Sequence, residues 1–437
     1  MNLKKSFLYF SALILFTQCK SPFQFDQEIA DELYKATYTT NHKPINSNID
    51  LYLDYSTCVK DAVTNSMFFK SIRPKITGLS NLTLHAIKGD NIDSVSNDAS
   101  VINSELNNIQ DISYANIKGA LDKINSNNSQ AILITDAEYW TVPQGERINL
   151  PYMKTIFSEW LNKGYCVNII IENYKESYKG NYYDKKRFYL IFTDDLLSNN
   201  VFDQICKASA FKDGDITLFK LSNNDFGVVG VPIVNEELTA EYSSSYTTKT
   251  VIDLQTTSQT ATYFTSYGYD YFEIDNQWSD IYEYVFKNNE PIIGGLTFVV
   301  NGLCPYSINN FTYDAKVYSK ENIDSESYEI KDANKGFKLV KDNNKIAVLL
   351  QENLFTEDIL SEYSENLIRI DIIVSDATPI DFDHNIFSWS SLSQPNQDNI
   401  SFYESIKQTL DDPKVNPINQ NNGIAYTIFL KTGVYKN

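Results

Sequence analysis

An α/β fold, doubly wound around a mostly parallel sheet and followed by a β-rich α+β module, is predicted by three observations. Strand-like apolar runs alternate with helix-periodic stretches between residues 47 and 225, the rhythm of crossover connections. One of these runs, Ala131-Ile132-Leu133-Ile134, is continuous and apolar, as befits a strand buried on both faces. From residue 226 onward helical stretches become sparse, and threonine, serine and alternating strands take over.

Taken in order, Ile49–Leu53 reads as a strand that ends at Asp54, and Val59–Ile72 as the helix after it. Leu82–Ile87 alternates apolar and polar residues, as a strand does. Ile117, Leu121 and Ile124 fall at helical intervals. The run at 131–134 precedes Thr135-Asp136. Met153–Leu161 reads as a helix stopped at Gly164. Tyr165–Ile171, Arg187–Phe192 and Ile216–Leu221 complete the strands of the first unit.

In the second unit, residues 226–437, strands are predicted at Pro291–Val300, Lys345–Leu350 and Leu367–Val374, with a closing strand at Ala425–Lys431. The third places Ile368, Ile370, Ile372 and Val374 on one face, with Arg369 and Asp371 on a solvated one. Helices are predicted near Trp278–Phe286 and Phe402–Leu410. The polar cluster Asn223-Asn224-Asp225, followed by Gly227, Gly230 and Pro232, marks the junction between the units. The 30 tyrosines and 25 phenylalanines suit well-paired strands and an aromatic core. Trp389 and the run Phe387–Phe402 fit either a recognition surface or that core.

With 56 acidic against 37 basic residues the chain carries a net charge of −19. That balance excludes nucleic acid as a partner, since its phosphates need Lys and Arg, and disfavours lying flat on anionic lipid. His42, His85 and His384 are scattered, so no histidine-based triad or zinc site is expected, nor any nucleophile–base pair of an enzyme. Cys58, Cys166, Cys206 and Cys304 match no disulfide scaffold. A Cys58–Cys166 bridge would have to join opposite edges of the sheet. Asp376, Asp381, Asp383 and His384 gather around Pro379; their oxygens suit calcium, but the spacing matches no calcium loop and a solvated acidic turn is the preferred reading.

The residues with chemistry sit at strand ends. Asp54-Tyr55-Ser56-Thr57-Cys58 follows the first strand, and Asp136 ends the central one. In an open α/β sheet ligands bind outside the carboxyl ends of the strands, and carboxylates with a hydroxyl suit a hard cation such as Mg2+. This arrangement resembles a von Willebrand factor A domain, over residues 47–222. That family carries an Asp-x-Ser-x-Ser metal-ion-dependent adhesion site, completed by a threonine and a second aspartate from later loops. Asp54 and Ser56 match its first two positions, and Ile134-Thr135-Asp136-Ala137 resembles its Thr-Asp-Gly strand end. Ser113–Leu121 resembles its Thr-Asn-Ile segment. Cys58 replaces the second serine, Ala115 the threonine and Ala137 the glycine. The resemblance implies Asp54, Ser56 and Asp136 as metal ligands and a protein as partner; the departures imply a degenerate site with weak or absent magnesium binding.

The N-terminus carries its own signal. Lys4 and Lys5 precede an apolar stretch, Phe7–Phe16, and then Thr17-Gln18-Cys19. The apolar run is too short to span a bilayer as a helix, and it has the flanks of a secretory leader. The segment resembles a bacterial lipoprotein signal peptide. Gln18 stands where a small residue is usual, a loosening familiar in the Bacteroidota. The resemblance implies removal of residues 1–18, acylation of Cys19 and a lipid anchor in the cell envelope, on the outer membrane; residues 19–46 read as a tether with a short helix around Asp26–Lys35. The expected function is a membrane-anchored module that binds a protein partner there, with a metal-free scaffold subunit of an envelope assembly as the alternative and a hydrolase using the β-rich half as the third and least favoured reading.

Overall fold

A computed structural model describes residues 27–39 and 45–432, apart from 110–113, 139, 142–145, 148–149, 195–196, 198–199, 207–215, 224–227, 232–253, 260–268, 275–292, 299–304, 321–326, 343–344, 352, 357, 362–363, 391–397, 417 and 419–422. The segments of the leader with Cys19, of Cys304 and of the helix expected at Trp278–Phe286 lie outside the described residues.

The first sheet begins with β1 (Asn46–Asp54), whose Ile49, Leu51 and Leu53 face one hydrophobic cluster while Tyr52 faces another. That is the period-two burial of a central strand. Next come α2 (Thr57–Asn65) and α3 (Met67–Thr77), where the sequence predicts one continuous helix. The break falls at Ser66, which leaves the helical region (φ −76°, ψ 120°) and accepts a capping bond from Phe69 N at 2.8 Å. Its hydroxyl thus favours a new N-terminus over a continued turn. Strands β2 (Leu82–Lys88) and β3 (Asn91–Ser96) form a hairpin. The order continues with α4 (Ala99–Asn107), α5 (Ile117–Asn127), β4 (Ser129–Thr135), α6 (Lys154–Asn162), β5 (Cys166–Tyr178), β6 (Asn181–Thr193), α7 (Val201–Ile205) and β7 (Ile216–Leu221).

The seven strands lie in the order β3-β2-β1-β4-β6-β5-β7. The fold is α/β with a mixed sheet. β2, β1 and β4 are parallel neighbours, as expected, while the pairings β2–β3, β4–β6, β6–β5 and β5–β7 are antiparallel. The expected rhythm misses this because β5 and β6 are one long hairpin. Its two-residue turn, Lys179-Gly180, has φ of 50° and 79°, the paired left-handed geometry that matches strand twist. Cys58 sits at the carboxyl edge of β1, whereas Cys166 lies near the start of β4, as the register Val167–Phe192–Ala131 shows.

The second unit contains a six-stranded sheet in the order β9-β10-β17-β16-β12-β13, from Leu254–Gln259, Tyr269–Ile274, Ile424–Thr432, Asn366–Pro379, Tyr306–Ser319 and Glu329–Asp332. It is antiparallel except between β10 and β17. A four-stranded antiparallel sheet, β8-β11-β15-β14, comes from Val228–Val231, Ile293–Phe298, Lys345–Leu350 and Phe337–Asp342. Phe337 and Val348 share a cluster with Ala315, Val317, Ile368, Ile370 and Ile372, so the two sheets pack on one another.

The sheets fall on either side of the boundary expected at residue 225, yet one hydrophobic cluster runs through both units. Its seam is helix α8 (Ser401–Leu410), which packs on α6. The Phe402 ring stands 4.3 Å from that of Phe188 and 6.2 Å from that of Phe157. Ser405 Oγ accepts from Met153 N at 3.3 Å. Phe387 and Trp389 belong to this core rather than to a surface.

The short helix expected around Asp26–Lys35 is α1 (Gln27–Thr39), docked on the six-stranded sheet through Ala30 and Tyr34 against Tyr269, Leu367 and Phe429. For the same reason Arg369 and Asp371 are buried, not solvated. Arg369 donates to Asp371 at 3.0 Å, to Leu33 O at 3.0 Å and to Thr37 Oγ1 at 2.7 Å. Among the described residues no helix is long and apolar enough to cross a membrane.

Candidate metal centre

Parallel pairing in register, with Leu53 opposite Ile134, makes β1 and β4 end side by side. The residues that follow therefore meet at one sheet edge. Thr135 Oγ1 donates to Asp54 Oδ2 at 2.8 Å and accepts from Ala137 N at 3.0 Å. The chain then turns at Ala137 with φ 58°, a conformation costing a non-glycine residue about 1 kcal/mol. The Thr135 bond and a 3.2 Å bond from Tyr152 Oη to Ala137 O hold the turn. Asp136, just before this turn, comes to lie beside Asp54. From the other strand, Ser56 starts α2 without a side-chain capping bond, and Cys58 occupies its first turn.

One donor atom each from Asp54, Cys58 and Asp136 lies within 4.8 Å of the others, and all three residues are buried. This set could hold a metal ion. Two of the expected ligands, Asp54 and Asp136, are thus brought together. The third, Ser56, stands beside Asp54 closely enough to favour its charged form. Even so, neither Ser56 Oγ nor Asp54 Oδ1, both buried, completes a hydrogen bond. Ala115 bridges to Gly89 beyond β2 and contributes only a methyl group, while Ser113 lies outside the described residues.

The sequence did not reveal that the cluster has its own cation. Lys185 on β6 is buried, with Nζ 2.7 Å from Asp136 Oδ2, 3.2 Å from Glu176 Oε2 and 3.5 Å from Glu138 Oε2. Burial alone would favour its neutral form, but Asp136, Glu138 and Glu176 together outweigh burial and hold its pKa well above the usual value. Two residues along the strand, Arg187 faces α2. It donates to Cys58 O at 2.8 Å, to Glu172 at 2.7 Å and to Asp61 at 2.9 Å, and lies over the Tyr174 ring. Glu172 also accepts from Tyr189 Oη at 2.7 Å and from Ser66 Oγ. This network locks the first turn of α2 onto the β5–β6 hairpin.

Asp54 is pushed up to about 7, by burial first and by repulsion from Asp136 second, against the opposing bond from Thr135, the nearby Ser56 hydroxyl and the charge of Lys185. An acid whose folded pKa is raised adds stability below its unfolded value, near 4, and loses it as pH rises through about 7. Burial likewise pushes the Cys58 thiol well up, reinforced by Asp136 and Asp54.

Two other constellations have simpler readings. His85 Nε2 lies 2.9 Å from Asp50, which also accepts from Ser129 at 2.5 Å and Asn127 at 3.3 Å, a satisfied buried network within the sheet. Asp381, Asp383 and His384 lie in an exposed turn in which Asp383 accepts from the Asn385 backbone and side chain, whereas Asp376 is an exposed residue of β16, paired with Asn310. Comparisons with protein-family models, with curated proteins and with solved structures returned no match.

Proposed function

We propose that this chain is a lipid-anchored bacterial envelope protein whose first sheet is a von Willebrand factor A-like module that engages a protein partner. The observation that carries the reading is the convergence of Asp54, Ser56 and Asp136 at the carboxyl edge of two adjacent parallel strands. Anchoring rests on the leader-like segment that ends at Cys19.

Magnesium fits this edge poorly. A thiol replaces one oxygen donor, Ala115 supplies none, and Lys185 already neutralises Asp136. Magnesium demands near-ideal oxygen coordination and dehydrates reluctantly. A scaffold that holds its partner without magnesium is therefore favoured over metal-dependent adhesion.

Anchoring is tested by fractionating cells that express Cys19→Ala. The variant is expected to leave the membrane fraction and to lose labelling by a fatty-acid analogue. Unchanged partition and labelling would remove the basis for an envelope role.

A further inference from the structure

The geometry assigns to the Asp54–Ser56–Cys58–Asp136 pocket a thiophilic divalent cation, with zinc as the representative ion, in preference to magnesium. The assignment rests on the pocket and not on the envelope reading, so either can fail without the other.

Three observations converge. The Cys58 thiol, a soft ligand, is grouped with two carboxylates within 4.8 Å, and mixed sulfur and oxygen donors suit zinc. Asp54, only 1% exposed, keeps Oδ1 without a hydrogen bond, and Ser56 Oγ beside it is also unsatisfied. A buried carboxylate oxygen left open costs stability unless something binds it. Finally, charge is unbalanced around Lys185: Asp136, Glu138 and Glu176 contact its one ammonium, and Asp54 lies close by. A divalent ion supplies the missing positive charge.

Bonds of about 2.0–2.3 Å to a tetrahedral ion ask for donors about 3.5 Å apart. The pocket must then close by roughly 1 Å, within the reach of small side-chain rotations. As the sulfur–zinc bond forms, the thiol proton leaves to solvent.

Cobalt(II) reports the sulfur ligand directly. Added to the reduced, metal-free mature chain, it is expected to give a thiolate-to-cobalt charge-transfer band that zinc displaces and excess magnesium does not. Cys58→Ser, shown to be folded by circular dichroism, should abolish the band. Asp54→Asn should weaken cobalt binding by at least about tenfold. Four results would overturn the assignment: no band in the wild type, a band that survives in Cys58→Ser, displacement by magnesium, or unchanged affinity in Asp54→Asn.

Discussion

A fragment of residues 47–225 is expected to be molten, or to unfold at far lower denaturant concentration than the full chain. Such a fragment keeps all seven strands of the first sheet but loses α8, and so bares the Phe157, Phe188 and Phe219 side chains that now pack against Phe402 and Phe387. Each large apolar side chain returned to water costs about 1.5–3 kcal/mol. A single truncation tests the same seam in the intact protein. Phe402 is fully buried, and Phe402→Ala should lose about 3–5 kcal/mol, because it removes the ring and leaves a cavity between two helices and a sheet. Urea unfolding measures both. A loss below about 1 kcal/mol, or cooperative unfolding of the fragment at the full chain's midpoint, would show that the units have separate cores.

Lys185→Met should be comparably damaging for an electrostatic reason. It keeps the aliphatic stem but strands Asp136, Glu138 and Glu176 without their ammonium. Removing one partner from a buried ion cluster costs about 3–5 kcal/mol. The loss should be largest near pH 8 and shrink toward pH 4. Lys185 itself stays charged throughout, since its folded pKa lies above the ordinary lysine value. The wild type should show the Asp54 contribution falling away as pH rises from about 4 through about 7. A pH series of urea unfolding for the two proteins decides the matter. A pH-independent difference would mean that Lys185 contributes packing alone.

The expected α/β unit was legible because its core strands are strongly patterned. Ala131–Ile134 and Ile49–Leu53 needed only their apolar runs, and the strand ends then fixed where Asp54 and Asp136 would lie. The electrostatic partners were not legible. Glu172, Glu176 and Lys185 fall between the short strands expected at Tyr165–Ile171 and Arg187–Phe192, and Arg187 only opens the second. In fact they occupy buried positions of a hairpin whose Lys179-Gly180 turn lacks the usual Asn-Gly signature. Charge recurring every second residue, as in Lys185 and Arg187, was the available signal. Arg369 and Asp371 misled in the opposite sense: their alternation announces a solvated face, but a helix from far upstream covers it. Long-range contacts such as Phe402 on Phe188 leave no local pattern at all.

The central claim is that the Asp54 edge, with the Cys58 thiol among its donors and Lys185 already on Asp136, is not a magnesium site. The most direct measurement is the thermal midpoint of the metal-free mature chain with and without millimolar magnesium, at matched ionic strength. A ligand that binds only the folded state stabilises it by about 2.7 kcal/mol at a hundredfold excess over its dissociation constant. The account predicts no shift beyond the salt control. A saturable rise in midpoint with magnesium that is lost in Asp54→Ala would contradict it.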